Sequence, residues 1–180
     1  AFMKGANVIP LDVFHGAASA APASAAAAVL RLLRAAVDAN MNAVRVWGGG
    51  RYMDHSFYHR CDELGLMVWQ ESMFACAQYP RDAAFLASVR AETVHQARRL
   101  ASHPSVVIWG GNNENEAALG WYEETKAHPV LYAVDLTAVF VDTVRAALLG
   151  AVPAVHPPTF AFVDSSPSNG VVSRAPYVQA

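Results

Sequence analysis

The stretch 106-VVIWGGNNENEAALGW-121 decides how this chain is read. An apolar, strand-like run stops at two glycines. Asn112, Asn113, Glu114, Asn115 and Glu116 then crowd together before apolar residues resume. Unpaired charge is too costly to bury along a sheet, so this polar cluster marks a strand's C-terminal end and needs an explanation of its own.

Working outward, the same pattern repeats. Residues 2–9 read as a short strand closed by Pro10, and 24–40 as a helix capped by Ser24, with Val29, Leu30, Leu33 and Val37 at helical spacing. Residues 43–50 form a strand-like run ending in three glycines, 56–64 a helix stopped by Gly65, and 66–75 a strand that turns polar. Asp82 caps a helix with Phe85, Leu86, Val89, Ala97 and Leu100 on one face, ending near 103-HP-104. After the strand 106–114 come a helix over 132–149 and a strand over 159–166.

Strand and helix alternating in this way predict a parallel sheet. An open doubly wound sheet competes with a (β/α)8 barrel. In a barrel the chemistry collects at the C-terminal strand ends, and each strand here becomes polar there. Asn7 and Asp12 follow the first; Arg45 and Trp47 lie in the second, Gln70 and Glu71 in the third; Asn113 and Glu114 follow the fourth, and Asp164 and Ser165 the fifth. No G-x-G-x-x-G opens a helix after the first strand, as a dinucleotide fold would want. The expected fold is therefore α/β, a partial (β/α)8 TIM barrel of about five strands with their helices.

Composition narrows the function classes. The chain has 180 residues, 54% hydrophobic and 16% charged, with net charge -2 and no run of Lys or Arg. That argues against a nucleic-acid surface or a polybasic membrane contact, and no apolar stretch approaches the roughly 20 residues needed to span a bilayer. Cys61 and Cys76 form no C-x-x-C pair and read as core thiols. His55 and His59 could present two metal ligands on a helix face, but no third is evident, so exposed polar histidines are the expectation. The 48-GGG-50 run lacks the lysine of a phosphate loop and reads as tight packing at the rim. Ser165 and Ser166 lack a nucleophile elbow.

A carboxylic acid at a barrel mouth beside Asn, Trp and Arg suits sugar chemistry. Trp gives an apolar platform, Asn and Arg bind hydroxyls, and Glu exchanges a proton with the glycosidic oxygen. Asn and Glu after a strand also commonly cap the next helix, and spacing leaves both readings open.

The runs KGANVIPLDVF, DANMNAVRVWGGG, FYHRCDELGLMVWQESMFACA, HPSVVIWGGNNENEAALGW and VDSSPSNG, in that order, closely resemble the catalytic barrel of the β-mannosidase branch of glycoside hydrolase family 2. The resemblance covers nearly the whole chain. It implies a retaining exo-glycosidase that removes terminal β-linked mannose from oligosaccharides or other β-mannosides. It further implies Glu114 as general acid/base, Asn113 as ligand of the sugar 2-hydroxyl, and Arg45 as the cation that keeps a nucleophilic carboxylate ionised. Asp12, Trp47, Trp69 and Glu71 would line the terminal-sugar pocket, and Glu116 would cap the next helix or support the site from behind. Glu71 departs from the family's usual Asp by one methylene, and Val8, Arg51 and Met53 also differ from its pattern.

A retaining enzyme needs a second carboxylate roughly 5 Å from the first, and a closed barrel typically takes about 250 residues. The family carries its nucleophile late in the barrel, so residues 1–180 are expected to be the N-terminal part of a catalytic domain, inactive alone. The rest of the barrel and the flanking β-sandwich domains would lie outside the chain. The remainder of its own polypeptide is then its main partner, no cofactor or metal is expected, and a lysosomal location would follow the family's habit. The alternatives are a non-catalytic, sugar-binding α/β domain and another family 2 specificity.

Overall fold

The computed structural model describes residues 2–11, 22–151 and 161–168. Five strands, β1 (Gly5–Val8), β2 (Ala43–Val46), β3 (Met67–Glu71), β4 (Val106–Gly110) and β5 (Ala161–Val163), make one sheet in the order β1-β2-β3-β4-β5. Every pairing is parallel. Among the described residues the order never reverses, so these five strands have no switch point of the doubly wound kind. The fold is α/β with a parallel five-stranded sheet, consistent with part of a barrel.

Local chemistry sets the crossovers. Helix α1 (Pro22–Asp38) begins at a proline, which suits a first helical position, so Ser24 lies inside the first turn instead of capping it. Helix α2 (His55–Leu64) ends where Gly65 takes φ 68°, a left-handed turn that glycine adopts without steric cost. Asp82 caps α3 (Ala83–Leu100) as expected, its carboxylate accepting from the N–H groups of Ala84 and Phe85.

Between β4 and β5 the structure is more divided than the sequence suggested. A 3-10 turn (Ala117–Gly120) and α4 (Glu123–Ala127) come first. Then α5 (Pro129–Leu136) runs on through a π-helical stretch (Thr137–Arg145) into α6 (Ala146–Ala151). Within the π-helical stretch the Thr143 hydroxyl donates to the Ala138 carbonyl at 2.8 Å.

Period-two alternation gives the sheet two unlike faces. Val8, Val46, Val68 and Trp109 pack with Leu33, Phe57, Tyr58, Cys61, Leu100 and Leu148 of the helices. A second cluster, Phe74, Val89, Leu136, Val139, Phe140 and Val144, joins α3 to the α5–α6 segment. The opposite register row is Asn7, Arg45, Trp69 and Ile108, and Asn7, Arg45 and Trp69 line an open concavity there. Among the described residues no helix is long and apolar enough to cross a membrane.

Two expectations are corrected here. Gln70 does not share the polar mouth with Glu71. Alternation turns it to the helix side, where it is fully buried, its Oε1 accepting from the Tyr58 hydroxyl at 2.5 Å and its Nε2 donating to the Glu71 carbonyl at 2.7 Å. Cys61 is a core thiol, but Cys76 is half-buried and belongs to neither apolar cluster.

Tyr58→Phe strands the buried Gln70 oxygen and is expected to cost about 1–3 kcal/mol in urea unfolding at neutral pH. Burial raises the Tyr58 phenol well above its ordinary value and the Cys61 thiol to about 12. Such acids ionise first in the unfolded chain, so the stability present below the ordinary thiol value of 9.0 is lost as pH rises toward 12. Repeating the urea titration across that window checks the sign, and a flat profile would contradict it.

Candidate active site

Because all five strands run in parallel, their C-terminal ends open on one rim, and one guanidinium ties four of them together there. Arg45 of β2 donates from Nε and Nη2 to Oε1 of Glu71 on β3, at 3.0 and 2.6 Å. Its Nη1 donates to Oδ1 of Asn7 on β1 at 3.0 Å, and its Nη2 to Oδ1 of Asn113, beyond β4, at 2.7 Å. The guanidinium also lies 5.6 Å from the Trp69 ring centroid, within cation–π range.

The Glu71 side chain is 0% exposed and that of Arg45 17% exposed. The second Glu71 oxygen accepts from the Gly48 N–H at 2.8 Å. Burial pushes the Glu71 carboxyl above the usual carboxylate range, the Gly48 N–H and Arg45 pull it back, and the Glu114 charge adds to the rise. Gly48 is needed for this approach, since a Cβ there would stand 2.6 and 2.7 Å from the Ser72 and Phe74 carbonyl oxygens.

Asn113 carries the arrangement on to Glu114. Its amide oxygen faces Arg45, so its Nδ2 turns the other way and donates to Glu114 Oε2 at 3.2 Å and to Cys76 Sγ at 3.4 Å. The Cys76 thiol lies 3.4 Å from the same Glu114 oxygen as a donor, and burial and that carboxylate raise its pKa. Glu114 and Cys76 both hold left-handed backbones, with φ 62° and 57°. A non-glycine residue there costs roughly 1–2 kcal/mol. The Glu114 conformation is held by its N–H donating to the Ser166 carbonyl at 3.1 Å and by parallel bridges from Asn113 to Ala75 and Ser166.

The neighbouring polar residues brace this turn. Asn112 is 0% exposed. Its Oδ1 accepts from the Asn115 N–H at 3.0 Å and the Ser165 hydroxyl at 2.7 Å, while its Nδ2 donates to the Asp164 carbonyl at 2.8 Å. Asn115 Nδ2 donates to the Ala77 carbonyl at 2.6 Å. The buried Glu116 makes no side-chain cap and instead accepts from the Ser168 hydroxyl at 2.8 Å.

Of the residues picked from the sequence, Arg45, Glu71, Asn113 and Glu114 form one connected cluster, with Trp69 beside it. Trp47 stands in the loop after β2, its ring lying over Gly49, and Asp12 lies outside the described residues. Sequence reading missed Cys76. The available signal was its place just past the polar end of β3, where a core thiol would be out of keeping. It also missed Asn112 as the centre of the brace.

No family model matches the chain. A β-mannosidase of Bos taurus is 49% identical over 177 residues, covering 97% of this chain and 19% of that protein. This chain is a homologue of the β-mannosidases. The Rattus norvegicus β-mannosidase is 45% identical over 185 residues, covering 98% of the chain and 20% of the relative. The crystal structure of a β-D-mannosidase from Dictyoglomus thermophilum superposes with TM-score 0.75 at 34% identity, over 99% of this chain and 20% of that one. The chain thus spans about a fifth of the length of the β-mannosidases it matches.

Arg45→Met leaves the Glu71 carboxylate buried without its cation and is expected to cost about 3–5 kcal/mol of stability. Glu71→Gln, which removes that buried charge, should cost less. Urea unfolding of the two variants in parallel tests the order, and equal losses would show that the pair is not the tie described.

Proposed function

We propose that the polypeptide carrying this chain is a retaining exo-β-mannosidase of glycoside hydrolase family 2, and that the five-stranded sheet is the N-terminal part of its (β/α)8 catalytic barrel. The observation that carries the reading is the Asn113–Glu114 pair, fixed at the rim by Arg45 and by the left-handed turn. The β-mannosidase homologues support the same substrate class.

In this mechanism Glu114 protonates the glycosidic oxygen as the mannosyl–oxygen bond breaks, while a carboxylate from beyond this chain attacks the anomeric carbon. Glu114 then deprotonates the water that releases the sugar, and two inversions give retention. Asn113 meets the 2-hydroxyl. Because its amide oxygen is taken by Arg45, it meets that hydroxyl through Nδ2, with the N–H that otherwise donates to Cys76. That contact strengthens as the ring approaches an oxocarbenium ion.

Glu71 has both oxygens engaged by protein donors, so it acts as a positioning residue for Arg45 rather than as a sugar ligand. Arg45 in turn holds Asn113 and supplies positive charge where the nucleophile must stay ionised. Trp69 and Trp47 give the apolar surface of the terminal-sugar pocket.

Glu114→Ala should lower turnover of a β-mannoside with a poor leaving group by about 10²–10⁴-fold. Aryl β-mannosides with good leaving groups, which need no proton, should lose much less. Equal losses for both substrates would remove Glu114 from the acid role. A parent polypeptide that binds mannosides without turning them over would favour a carbohydrate-binding domain instead.

A further inference from the structure

We propose that His55, His59 and His103, with Asp62 behind His103, form a binding site for a divalent transition-metal ion of the zinc type. The site lies away from the candidate active site: His103 precedes β4, whereas Glu114 follows it, so the two occupy opposite ends of one strand.

Helix α2 presents His55, His59 and Asp62 at spacings of four and three residues, which places them along one face. His103 comes to that face from the turn between α3 and β4. Its Nδ1 is 2.7 Å from Asp62 Oδ2, and Asp62 Oδ1 accepts from the Ser105 N–H at 3.0 Å. The carboxylate therefore fixes the ring with Nδ1–H toward itself and the Nε2 lone pair outward, as carboxylates do behind metal-bound histidines.

Nε2 faces His55 Nδ1 at 3.5 Å. Two nitrogens bound tetrahedrally to zinc at about 2.0–2.1 Å stand roughly 3.4 Å apart. The His59 ring centroid is 4.9 Å from that of His103, and ligand atoms of His59, Asp62 and His103 all lie within 4.8 Å of one another.

The burial pattern also suits a ligand site. His103 is 5% exposed and serves as a fixed anchor, while His55 and His59 are exposed and open to an incoming ion. The fourth position would be left to water. The simpler reading, a buried histidine hydrogen-bonded to Asp62 and His55, accounts for both of its ring nitrogens but not for the third imidazole, His59, packed against it. Three neutral imidazoles select zinc, copper or nickel over magnesium or calcium. Arg99, whose guanidinium sits 5.4 Å from the Tyr58 ring centroid on the same side, lowers affinity for a dication. Bound metal would join α2 to the α3–β4 turn.

The test is isothermal titration of tag-free protein with zinc chloride, alongside the visible spectrum of the cobalt(II) form. One ion per chain and a tetrahedral cobalt spectrum are expected. His59→Ala removes an exposed ligand, so the variant should fold, and it should weaken binding at least tenfold. Asp62→Ala should weaken it about 10- to 100-fold. Zinc should also raise the unfolding temperature of the parent protein but not that of His55→Ala/His59→Ala. No zinc uptake, or uptake unchanged in that double variant, would overturn the proposal.

Discussion

The guanidinium of Arg45 is the constraint on which the rim depends. A planar cation with donors on several edges reaches β1 through Asn7, β3 through Glu71 and the end of β4 through Asn113. Lysine, a point charge without that fork, would not span the same acceptors. A buried ion pair contributes little net stability against an apolar substitute, but once built it is strongly coupled to its partners. Its value here is positional, since it fixes which way the Asn113 amide points and hence where the Glu114 carboxylate is held.

The two faces of the sheet divide the labour. Val8, Val46, Val68 and Trp109 drive burial against the helices, while Asn7, Arg45 and Trp69 on the other face contribute little to that core. Functional groups can then sit on strands whose own stability is secured elsewhere, with the fixed geometry that a rigid scaffold gives. Gly48 shows how closely the halves meet, because its N–H completes the shell of a carboxylate rooted on the neighbouring strand.

Much of this was legible from residue order alone. The alternating elements, the Asp82 cap, the Gly65 stop and the polar strand ends are all encoded within a few residues of where they act. The grouping of Arg45, Glu71, Asn113 and Glu114 followed from assigning them to ends of parallel strands. What could not be read depends on contacts across distant segments. Whether Gln70 or Glu71 faced the rim turned on a one-residue register. The partnership of His103 with α2 joins residues 41 apart in the chain. The 3-10 turn at Ala117–Gly120 and the five-residue α4 carry too few turns for apolar periodicity to reveal them. Cys76 was misplaced because composition ranks cysteine as a core residue and says nothing of a backbone at φ 57°.

The left-handed backbone at Glu114 has an evolutionary consequence. Glycine adopts that conformation without the penalty a glutamate pays, so replacing Glu114 by Gly would relieve local strain while removing the carboxylate. Such an allele would be expected to accumulate in cells to normal or higher levels, since abundance follows folding stability. Variant screens that score protein level would therefore pass it as benign, and under the proposed acid role only a screen that scores glycoside turnover would register the loss. On that role the rim would be a place where selection for function works against selection for stability, and the bridges from Asn113 to Ala75 and Ser166 are the scaffold that holds the strained turn.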